Sequence, residues 1–340
     1  MTSLRELRAG KRAPYPDQAI YLELACRHHG VAFAVLDGDG GTVVRVGDGA
    51  AARVIATTGR TCVYPGNSAA AMALATDKLF TRIALDACGV PNLGGEAFFL
   101  DGRFARMRRP GHELADARAR MEARGHVAFC KPLAGSRGDF AERVTSREGF
   151  ESWLARVSRA YDAVLLQDLF EGDEYRVFLV GDEVVFVMQR SAPTLRGDGA
   201  STVAALHAAF VVEHAGRGVS DAPLDAELAS SAGRRVAPRD VLAEGERVTL
   251  AHRRNASAGA ALALVSPESV PAVVAAARAA RAALGLAVAG VDVMATADGA
   301  RVIELNGNAA IAGLEALGRD DLVVRLWGAA LAQAGITGRV

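Results

Sequence analysis

The segment 289–308, AGVDVMATADGARVIELNGN, most constrains the fold because it has the pattern of a β-hairpin. Side chains alternate between the two faces of a strand, so the pairing register decides which polar residues lie together. Two registers are open. In one of them a two-residue turn at 298–299 pairs Asp292 with Leu305, and Asp292 and Glu304 then lie on opposite faces of the hairpin.

The other register has a three-residue loop at 297–299, with a left-handed glycine at its end, and pairs Asp292 directly with Glu304. We prefer it because it also collects the apolar residues on the opposite face, which are Val291, Val293, Ile303 and Leu305. Asn306 then joins the two carboxylates, and the three side chains form an oxygen-ligand site for a divalent metal. An amphipathic edge hairpin with its acidic side chains in water explains the carboxylates equally well, but it leaves Asn306 unexplained.

Composition limits the remaining possibilities. A chain of 340 residues is long enough for two or three domains, and its 39 acidic and 39 basic residues give no charge excess that would favour nucleic acid or an anionic membrane. Neither the first residues nor the Ala-rich stretch 270–288, which two arginines interrupt, predicts a signal peptide or a membrane span. The cysteines lack metal-ligand spacing and indicate reduced thiols in a cytoplasmic protein; they are Cys26, Cys62, Cys88 and Cys130.

Lysine is scarce in this chain. Of the 39 basic residues only three are lysines, Lys11, Lys78 and Lys131, and the other 36 are arginines. A compact ammonium group on a flexible stem can meet a phosphate as a point charge, which a planar guanidinium does less well. Lys78 and Lys131 are therefore candidate phosphate ligands, whereas chance accounts well enough for Lys11.

Both candidate lysines lie in recognisable local patterns. Residues 68–88 predict one helix that contains Lys78 and stops at Gly89. Residues 126–130 predict a strand that runs into the loop KPLAGSRG at 131–138, where a lysine and backbone amides could hold phosphates. The loop is not a Walker A motif because its lysine precedes the glycines, and an ordinary hairpin loop explains the pattern equally well.

The middle of the chain predicts strands at 163–169, 175–180 and 183–189. Charged residues lie at the ends of these strands, and each of them alone would be assigned to the surface. The triplet at 196–198, Arg-Gly-Asp, predicts a tight turn before a helix that begins at Val203 and is capped by Ser201 or Thr202. A further helix is predicted from a Ser-Pro cap at 266–267 to Leu284.

These motifs, in this order, resemble those of ATP-grasp enzymes. The similarity is greatest to the ATP-grasp module of cyanophycin synthetases and to the glutathione synthetase part of bifunctional glutathione enzymes, and it runs from about Val44 to about Glu315. The segments that carry it are ATDKLFTRIALDACGVPNLGG, CKPLAGSRG, QDLFEGDEYRVFLVGDEV, RGDGASTVAAL, RRNASAGA, AGVDVM and VIELNGN. Each is weak alone, and their conjunction is specific.

The resemblance implies an α/β (α+β) ATP-grasp fold with three parts. A small N-terminal α/β domain is expected at 1–74, a central subdomain with the phosphate loop at 75–165, and a C-terminal subdomain with the metal-binding hairpin at 166–340. In this family the two α+β subdomains clamp ATP.

The resemblance also implies roles for individual residues. Lys78 and Lys131 match the lysines on the α- and β-phosphates, and the hinge residue Gln167 lies near the adenine. The other residues implied in nucleotide binding are Gly135, Ser136 and Gly138 of the phosphate loop, Asp168 and Phe170 through their backbone, and Glu174 at the ribose. Basic positions that face the γ-phosphate and the substrate carboxyl group are matched by Arg176, Arg190 and Arg253, and the family's Arg-x-Asn asparagine by Asn255. The family's magnesium ligands are matched by Asp292, Glu304 and Asn306.

The implied activity is that of a carboxylate-amine ligase that uses ATP with one or two Mg²⁺ ions, for which Mn²⁺ can substitute. Its partners would be a small carboxylate and an amine, with neither nucleic acid nor membrane, and a homodimer is left open. A small-molecule kinase and a nucleotide-binding protein without turnover are the alternatives. Two segments depart from the family pattern: Asp139-Phe140 replaces a glycine after the phosphate loop, and 307–310 replaces the usual Pro-Gly turn.

Overall fold

The computed structural model describes residues 2–12, 14–58, 64–103, 105–135, 138–214, 234–250 and 261–338. The chain forms two compact units. The first consists of Met1–Asn92, Tyr175–Met188 and Leu264–Val340, and the second of Leu93–Glu174 and Gln189–Ala263. The predicted three-part division stays a prediction.

Helices and strands alternate along the described residues. The helices are α1 (Leu4–Ala9), α2 (Asp17–His28), α3 (Ala69–Thr76), α4 (Lys78–Ala87), α5 (Leu114–Ala123), α6 (Arg147–Val157), α7 (Val203–His214), α8 (Pro271–Leu284), α9 (Ala312–Ala316) and α10 (Asp320–Gln333). The strands are β1 (Phe33–Val35), β2 (Val43–Val46), β3 (Arg53–Ala56), β4 (Glu96–Phe99), β5 (Ala128–Pro132), β6 (Glu142–Val144), β7 (Ala163–Gln167), β8 (Asp173–Val180), β9 (Glu183–Ser191), β10 (Thr194–Arg196), β11 (Arg247–Thr249), β12 (Ala261–Val265), β13 (Val288–Thr296) and β14 (Gly299–Asn306). No helix among the described residues is long and apolar enough to cross a membrane.

The first unit is built on a five-stranded sheet in the order β12-β9-β8-β13-β14, with a smaller sheet β1-β2-β3. Helix α8 packs on β13 and β14 because its apolar residues recur at helical spacing and form one buried stripe. That stripe consists of Val273, Val274, Ala277, Ala280 and Leu284. Strands β8, β9, β13 and β14 and helices α3 and α4 complete the same core.

The hairpin β13–β14 has the predicted pairing but not the predicted turn. Asp292 pairs with Glu304, whereas Thr296 pairs with Gly299, so the loop has two residues, 297–298. A β-bulge beside Asp292 takes up the difference, since Val293 pairs with Val302 and Ile303 is the extra residue.

The bulge changes the face of one predicted core residue. Between Ile303 and the turn, the alternation of side chains between the two faces of β14 is shifted by one residue. Val302 is therefore buried in the core with Leu305. The assignment of Ile303 to that apolar face was wrong, because the sequence alternation carries no sign of the bulge. The face shared by Asp292 and Glu304 is unaffected.

The predicted helix at 68–88 is two helices. Asp77 has an extended backbone, ends α3 and caps α4, and its carboxylate accepts hydrogen bonds from the amides of Leu79 (2.8 Å) and Phe80 (3.1 Å). The continuous prediction was wrong because the apolar periodicity passes through a residue whose side chain competes for helix amides. The break makes Lys78 the first residue of α4.

The second unit contains the four-stranded sheet β4-β7-β5-β6, whose strands pair antiparallel. One face packs on α5 and α6 around the buried Trp153. A smaller cluster joins the pair β10–β11 to α7. Helix α7 begins at Val203 with the Thr202 hydroxyl accepting from the Ala205 amide (3.2 Å), which confirms the predicted cap.

Candidate active site

The acidic face of β13–β14 is the centre of the candidate site in the first unit. The Asp292 side chain is only 4% exposed, and Arg176 donates to both of its oxygens, from Nε to Oδ1 (2.7 Å) and from Nη2 to Oδ2 (2.6 Å). Beside Asp292 on the next strand, Glu304 accepts from Asn306 Nδ2 (3.4 Å). All three predicted metal ligands therefore lie at one end of one hairpin.

The donor set fits magnesium. Two carboxylates and one amide oxygen are hard ligands, and Mg²⁺ usually takes only one or two carboxylates from a protein and completes its octahedron with phosphates and water. Among the described residues no group of three or more His, Cys, Asp or Glu side chains is arranged to hold a metal. The hairpin has two carboxylates and one amide on one face, which are the oxygen ligands that would hold a hard cation.

Lys78 lies at the N-terminus of α4, directly after its cap Asp77. The amides of a first helical turn point outward along the axis and carry partial positive charge, so this end of a helix favours an anion. An ammonium group at the same position adds a full charge. The Asp77 carboxylate already accepts from the amides of Leu79 and Phe80 at this helix end, so the predicted phosphate role of Lys78 depends on its own ammonium group and stays a prediction.

In the second unit Lys131 and Gln167 lie on the same face of the sheet. Lys131 pairs with Leu165, and Gln167 pairs with Phe129, so all four side chains point away from the core formed by the alternate residues of β5 and β7. Lys131 is only 6% exposed. A lysine this buried needs polar partners for its charge.

The loop after β5 bends sharply at Gly138, whose φ is +71°. Phe140 also has a positive φ, +51°, and is held there because Trp153 Nε1 donates to its carbonyl (2.8 Å) and its ring packs edge-on against Tyr161. Phe140 thus anchors the end of the loop to the core of the second unit, while Asp139 is exposed. Gly135 packs closely on the ring of Pro132, and Ser136 lies outside the described residues.

Gln167, the predicted hinge residue, is buried and held from one side. Its Nε2 donates to the carbonyl of Gly94 (2.6 Å), and a side chain at Gly95, where φ is +122°, would come within 2.8 Å of Gln167 Cγ. Among the described residues no donor reaches Gln167 Oε1, although that atom is buried. A buried acceptor of this kind is expected to meet a donor from a ligand or from water.

The residues that follow Gln167 are tied to the same unit by charges. Asp168 is bound by Arg124 (2.7 Å), which also reaches Glu96 on β4 (3.2 Å). Further along, Arg190 Nη1 donates to Glu174 Oε1 (3.1 Å), and both side chains are largely buried. Glu174 and Arg190, for which the resemblance implies different roles, are thus direct neighbours.

The predicted residues fall into three groups. The first unit contains Lys78, Arg176, Asp292, Glu304 and Asn306. The second contains Lys131, Gly135, Gly138, Gln167, Asp168, Phe170, Glu174 and Arg190. Outside the described residues lie Ser136, Arg253 and Asn255.

Sequence reasoning missed Asn67, which joins the start of β13 to the segment that follows the metal-site hairpin. Its Nδ2 donates to the carbonyls of Val288 (2.8 Å) and Gly307 (2.9 Å), and its Oδ1 accepts from the amides of Ala287 (2.8 Å) and Val288 (2.9 Å). No local signal marks this residue, because its partners lie more than 200 residues away.

The same segment has further N-terminal contacts. The hydroxyl of Tyr64 donates to the carbonyl of Ala309 (3.2 Å), and Arg8 and Tyr21 both bind Glu315 (2.7 Å each). Burial raises the pKa of Glu315, but the hydrogen bonds from Arg8 and Tyr21 outweigh burial and hold that pKa below its usual range.

Lys11 also has a defined place in the first unit. Its ammonium group lies 2.6 Å from Glu23 Oε2 and 4.8 Å from the centre of the Tyr15 ring. Because Glu23 is buried, this lysine acts as its counter-charge. Lys11 therefore has a structural role, which an arginine could fill as well, and the chance explanation for its being a lysine stays a prediction.

Comparison with known proteins gives relatives over part of the chain, and no protein-family model matches it. The glutathione biosynthesis bifunctional protein of Desulfotalea psychrophila is 27% identical over 133 residues, 38% of this chain and 16% of that protein. Cyanophycin synthetase of Geminocystis herdmanii is 26% identical over 134 residues, 38% of this chain and 14% of that protein. The matched segments thus span less than a fifth of either relative.

Among solved structures, a bifunctional glutathione synthetase from Pasteurella multocida has a similar fold. The TM-score is 0.52 at 20% identity, and the match covers 91% of this chain and 41% of that one. Together with the mixed helices and antiparallel sheets described above, this likeness confirms the predicted ATP-grasp fold.

Proposed function

We propose that this chain, which has the ATP-grasp fold, is an ATP-dependent carboxylate-amine ligase that acts on small, amino-acid-like substrates. It would use ATP to activate the carboxylate and would join it to an amine through an amide bond. The relatives named above support the class of reaction. The identity of the acid and the amine is what the experiment below is designed to find.

The observation that carries the proposal is the pairing of Asp292 with Glu304 on one hairpin, with Asn306 beside them. Such a set of hard oxygen ligands suits the metal complex of a nucleoside triphosphate. An edge hairpin that only kept its charges in water would leave Asp292 exposed. The deep burial of Asp292 and its bidentate guanidinium partner therefore favour a preformed binding site over a solvent-exposed edge hairpin.

Other residues would bind and orient the nucleotide. Lys78, the first residue of α4, would meet one phosphate as a point charge, and Lys131 would meet another from the sheet face that it shares with Gln167. Gln167 Oε1 would accept from the amino group of adenine, and Glu174 from the ribose. Magnesium, when bound, would spread the negative charge that develops on the transferred phosphoryl group.

The reaction would proceed in two balanced steps. The substrate carboxylate would attack the γ-phosphorus of ATP, forming an acyl phosphate and releasing ADP. The amine nitrogen would then attack the acyl carbon, phosphate would leave with the electron pair of the broken C–O bond, and the surplus amine proton would pass to solvent. The protein would contribute position and electrostatic stabilisation rather than a covalent nucleophile.

A panel of acids and amines, incubated with Mg²⁺ and ATP and analysed by mass spectrometry, tests the proposal. We expect ADP release that requires both an acid and an amine, and a product whose mass is that of the two substrates minus water. Hydroxylamine should trap the acyl phosphate as a hydroxamate. A phosphorylated alcohol without any hydroxamate would instead establish a kinase.

Two variants of the same hairpin serve as controls. Glu304→Gln removes one charge from the metal site and should abolish turnover, whereas Asp298→Asn makes the same change at the exposed turn and should leave turnover intact. Full ADP release by the Glu304→Gln protein would contradict a metal site at this hairpin. Absence of ADP release across a broad panel would contradict the proposal and favour a nucleotide-binding protein without turnover.

A further inference from the structure

Arg176 occupies the very oxygens that a metal ion at Asp292 would use. The guanidinium donates to both oxygens of the carboxylate, at 2.7 and 2.6 Å. The exposed fractions of the two side chains are 16% and 4%, so neither charge is fully screened by water. Such short, paired, charge-assisted bonds are among the strongest polar contacts in proteins.

A guanidinium and a divalent cation at one buried carboxylate repel each other. Their charges would be a few ångströms apart in surroundings where the dielectric constant is well below that of water, so the repulsion would be larger than at the surface. Binding of the metal therefore requires that Arg176 retreat or that an anion compensate its charge. A triphosphate supplies several negative charges and attracts the same guanidinium.

From this geometry we infer that Arg176 is a positioning residue that makes metal binding depend on the nucleotide. In the enzyme without ligands it neutralises Asp292 and keeps the affinity of the hairpin for a free divalent ion low. The phosphates of the nucleotide attract the Arg176 guanidinium away from Asp292, and the Asp292 carboxylate becomes available to the metal. The inference rests on the proposed ATP site, and it adds an order of events that the ligand set alone does not imply.

The coupling must act in both directions. If the nucleotide raises the affinity for the metal, the metal raises the affinity for the nucleotide by the same factor. A purely structural pair makes a different prediction: Arg176 would remain a fixed counter-charge for the buried Asp292, and its removal would leave metal binding unchanged or weaken it by disordering the hairpin.

Binding of Mn²⁺, followed by electron paramagnetic resonance, measures the effect without turnover. The Mn²⁺ dissociation constant is determined for the protein alone and with saturating AMPPNP, after correction for Mn²⁺ bound to free AMPPNP. We expect Arg176→Met to tighten Mn²⁺ binding to the protein alone by about tenfold, and to reduce the enhancement by AMPPNP by about the same factor, within the usual range of such couplings.

Arg190→Met is the matched control. Arg190 is 9% exposed, compared with 16% for Arg176, and pairs with Glu174 rather than with a predicted metal ligand. This variant should weaken AMPPNP binding while leaving the Mn²⁺ affinity of the protein alone unchanged. Arg176→Lys keeps one positive charge but cannot form the bidentate pair, and it should fall between Arg176→Met and wild type.

A variant that fails to fold is recognised by circular dichroism, and Arg176→Lys then carries the test. If AMPPNP binds but Mn²⁺ binding to the protein alone is unchanged or weaker in both Arg176 variants, the inference is wrong and the proposed function stands. If wild type binds no AMPPNP even with Mn²⁺, both fail. A tighter Mn²⁺ affinity in the Arg190→Met protein would also overturn the inference, because the effect would then be one of general charge.

Discussion

Asn67→Asp tests how the segment after the metal-site hairpin is held. Two carbonyls, of Val288 and Gly307, lie opposite Asn67 Nδ2, and two amides, of Ala287 and Val288, lie opposite Oδ1. The donors and acceptors around the side chain therefore fix its orientation. Replacement by aspartate keeps the acceptor for the amides but turns the donor for the carbonyls into a second oxygen.

The magnitude follows from counting these bonds. Two hydrogen bonds disappear, each of which contributes about 1 kcal/mol, and a carboxylate oxygen is placed against two carbonyl oxygens at hydrogen-bond distance. We expect Asn67→Asp to lower the free energy of unfolding by about 3 kcal/mol at pH 7. Asn67→Ala loses all four bonds without the repulsion and should cost about as much.

The sign of the pH dependence separates the two variants. A protonated carboxyl group can donate to one carbonyl, so the folded state of the Asn67→Asp protein raises the pKa of that group above its unfolded value of about 3.9. The folded state then binds more protons than the unfolded state, and the loss of stability shrinks as the pH falls through the raised pKa. The Asn67→Ala protein has no titratable group at this position, so its loss of stability should not shrink as the pH falls.

Chemical denaturation at pH 7 and pH 4 measures the stabilities, and amide hydrogen exchange gives the local readout. The amides of Ala287 and Val288 should lose protection relative to their neighbours in Asn67→Ala but keep it in Asn67→Asp. An Asn67→Asp protein whose stability at pH 7 lies within about 0.5 kcal/mol of wild type would refute the assignment of Asn67 as the donor to Gly307.

Two further predictions concern other contacts. Gln167→Leu should weaken ATP binding by about tenfold and ITP binding much less, because ITP lacks the amino group that would donate a hydrogen bond to Gln167 Oε1. Equal losses of affinity for both nucleotides in a titration would contradict that role. Arg8→Met should lower the free energy of unfolding by about 0.5–1 kcal/mol at pH 7. The effect is small because Arg8 is partly exposed and water screens its ion pair. Because the folded pKa of Glu315 is lowered, this difference should shrink as the pH falls below the unfolded pKa and through the lowered folded pKa. A difference in the free energy of unfolding that is the same at every pH would exclude an ion pair of Arg8 with a carboxylate as its cause.

The hairpin shows what a sequence can and cannot predict. Alternation correctly paired Asp292 with Glu304 and placed Val291, Val293 and Leu305 in the core. The turn was wrong, because a shorter loop combined with a bulge gives the same pairing near Asp292 as a longer loop without one. Local turn preferences differ little between these solutions, and the packing of Val302 into the core selects between them.

The helix around Lys78 shows a second limit. Apolar periodicity predicted that residues 68–88 are helical, and most of them are. Asp77 interrupts the helix because its carboxylate caps the amides of Leu79 and Phe80, and an aspartate inside an apolar helical pattern is the local sequence signal of such a break. The order of the family motifs, in contrast, correctly predicted the ATP-grasp fold, since it depends on many positions at once.

The departure from the family pattern after Asn306 has a physical explanation in the first unit. In place of a Pro-Gly turn, the chain has Gly307, where an added Cβ would lie 2.3 Å from the sulfur of Met72 on α3. Asn67 and Tyr64 bind the carbonyls of Gly307 and Ala309. A proline restricts the backbone of a turn without contacts from other segments. In this chain, contacts with the N-terminal part stabilise the conformation of the segment instead. Exchange of 307–310 for a Pro-Gly sequence should therefore disrupt its packing on α3 unless Met72 and Asn67 are changed with it.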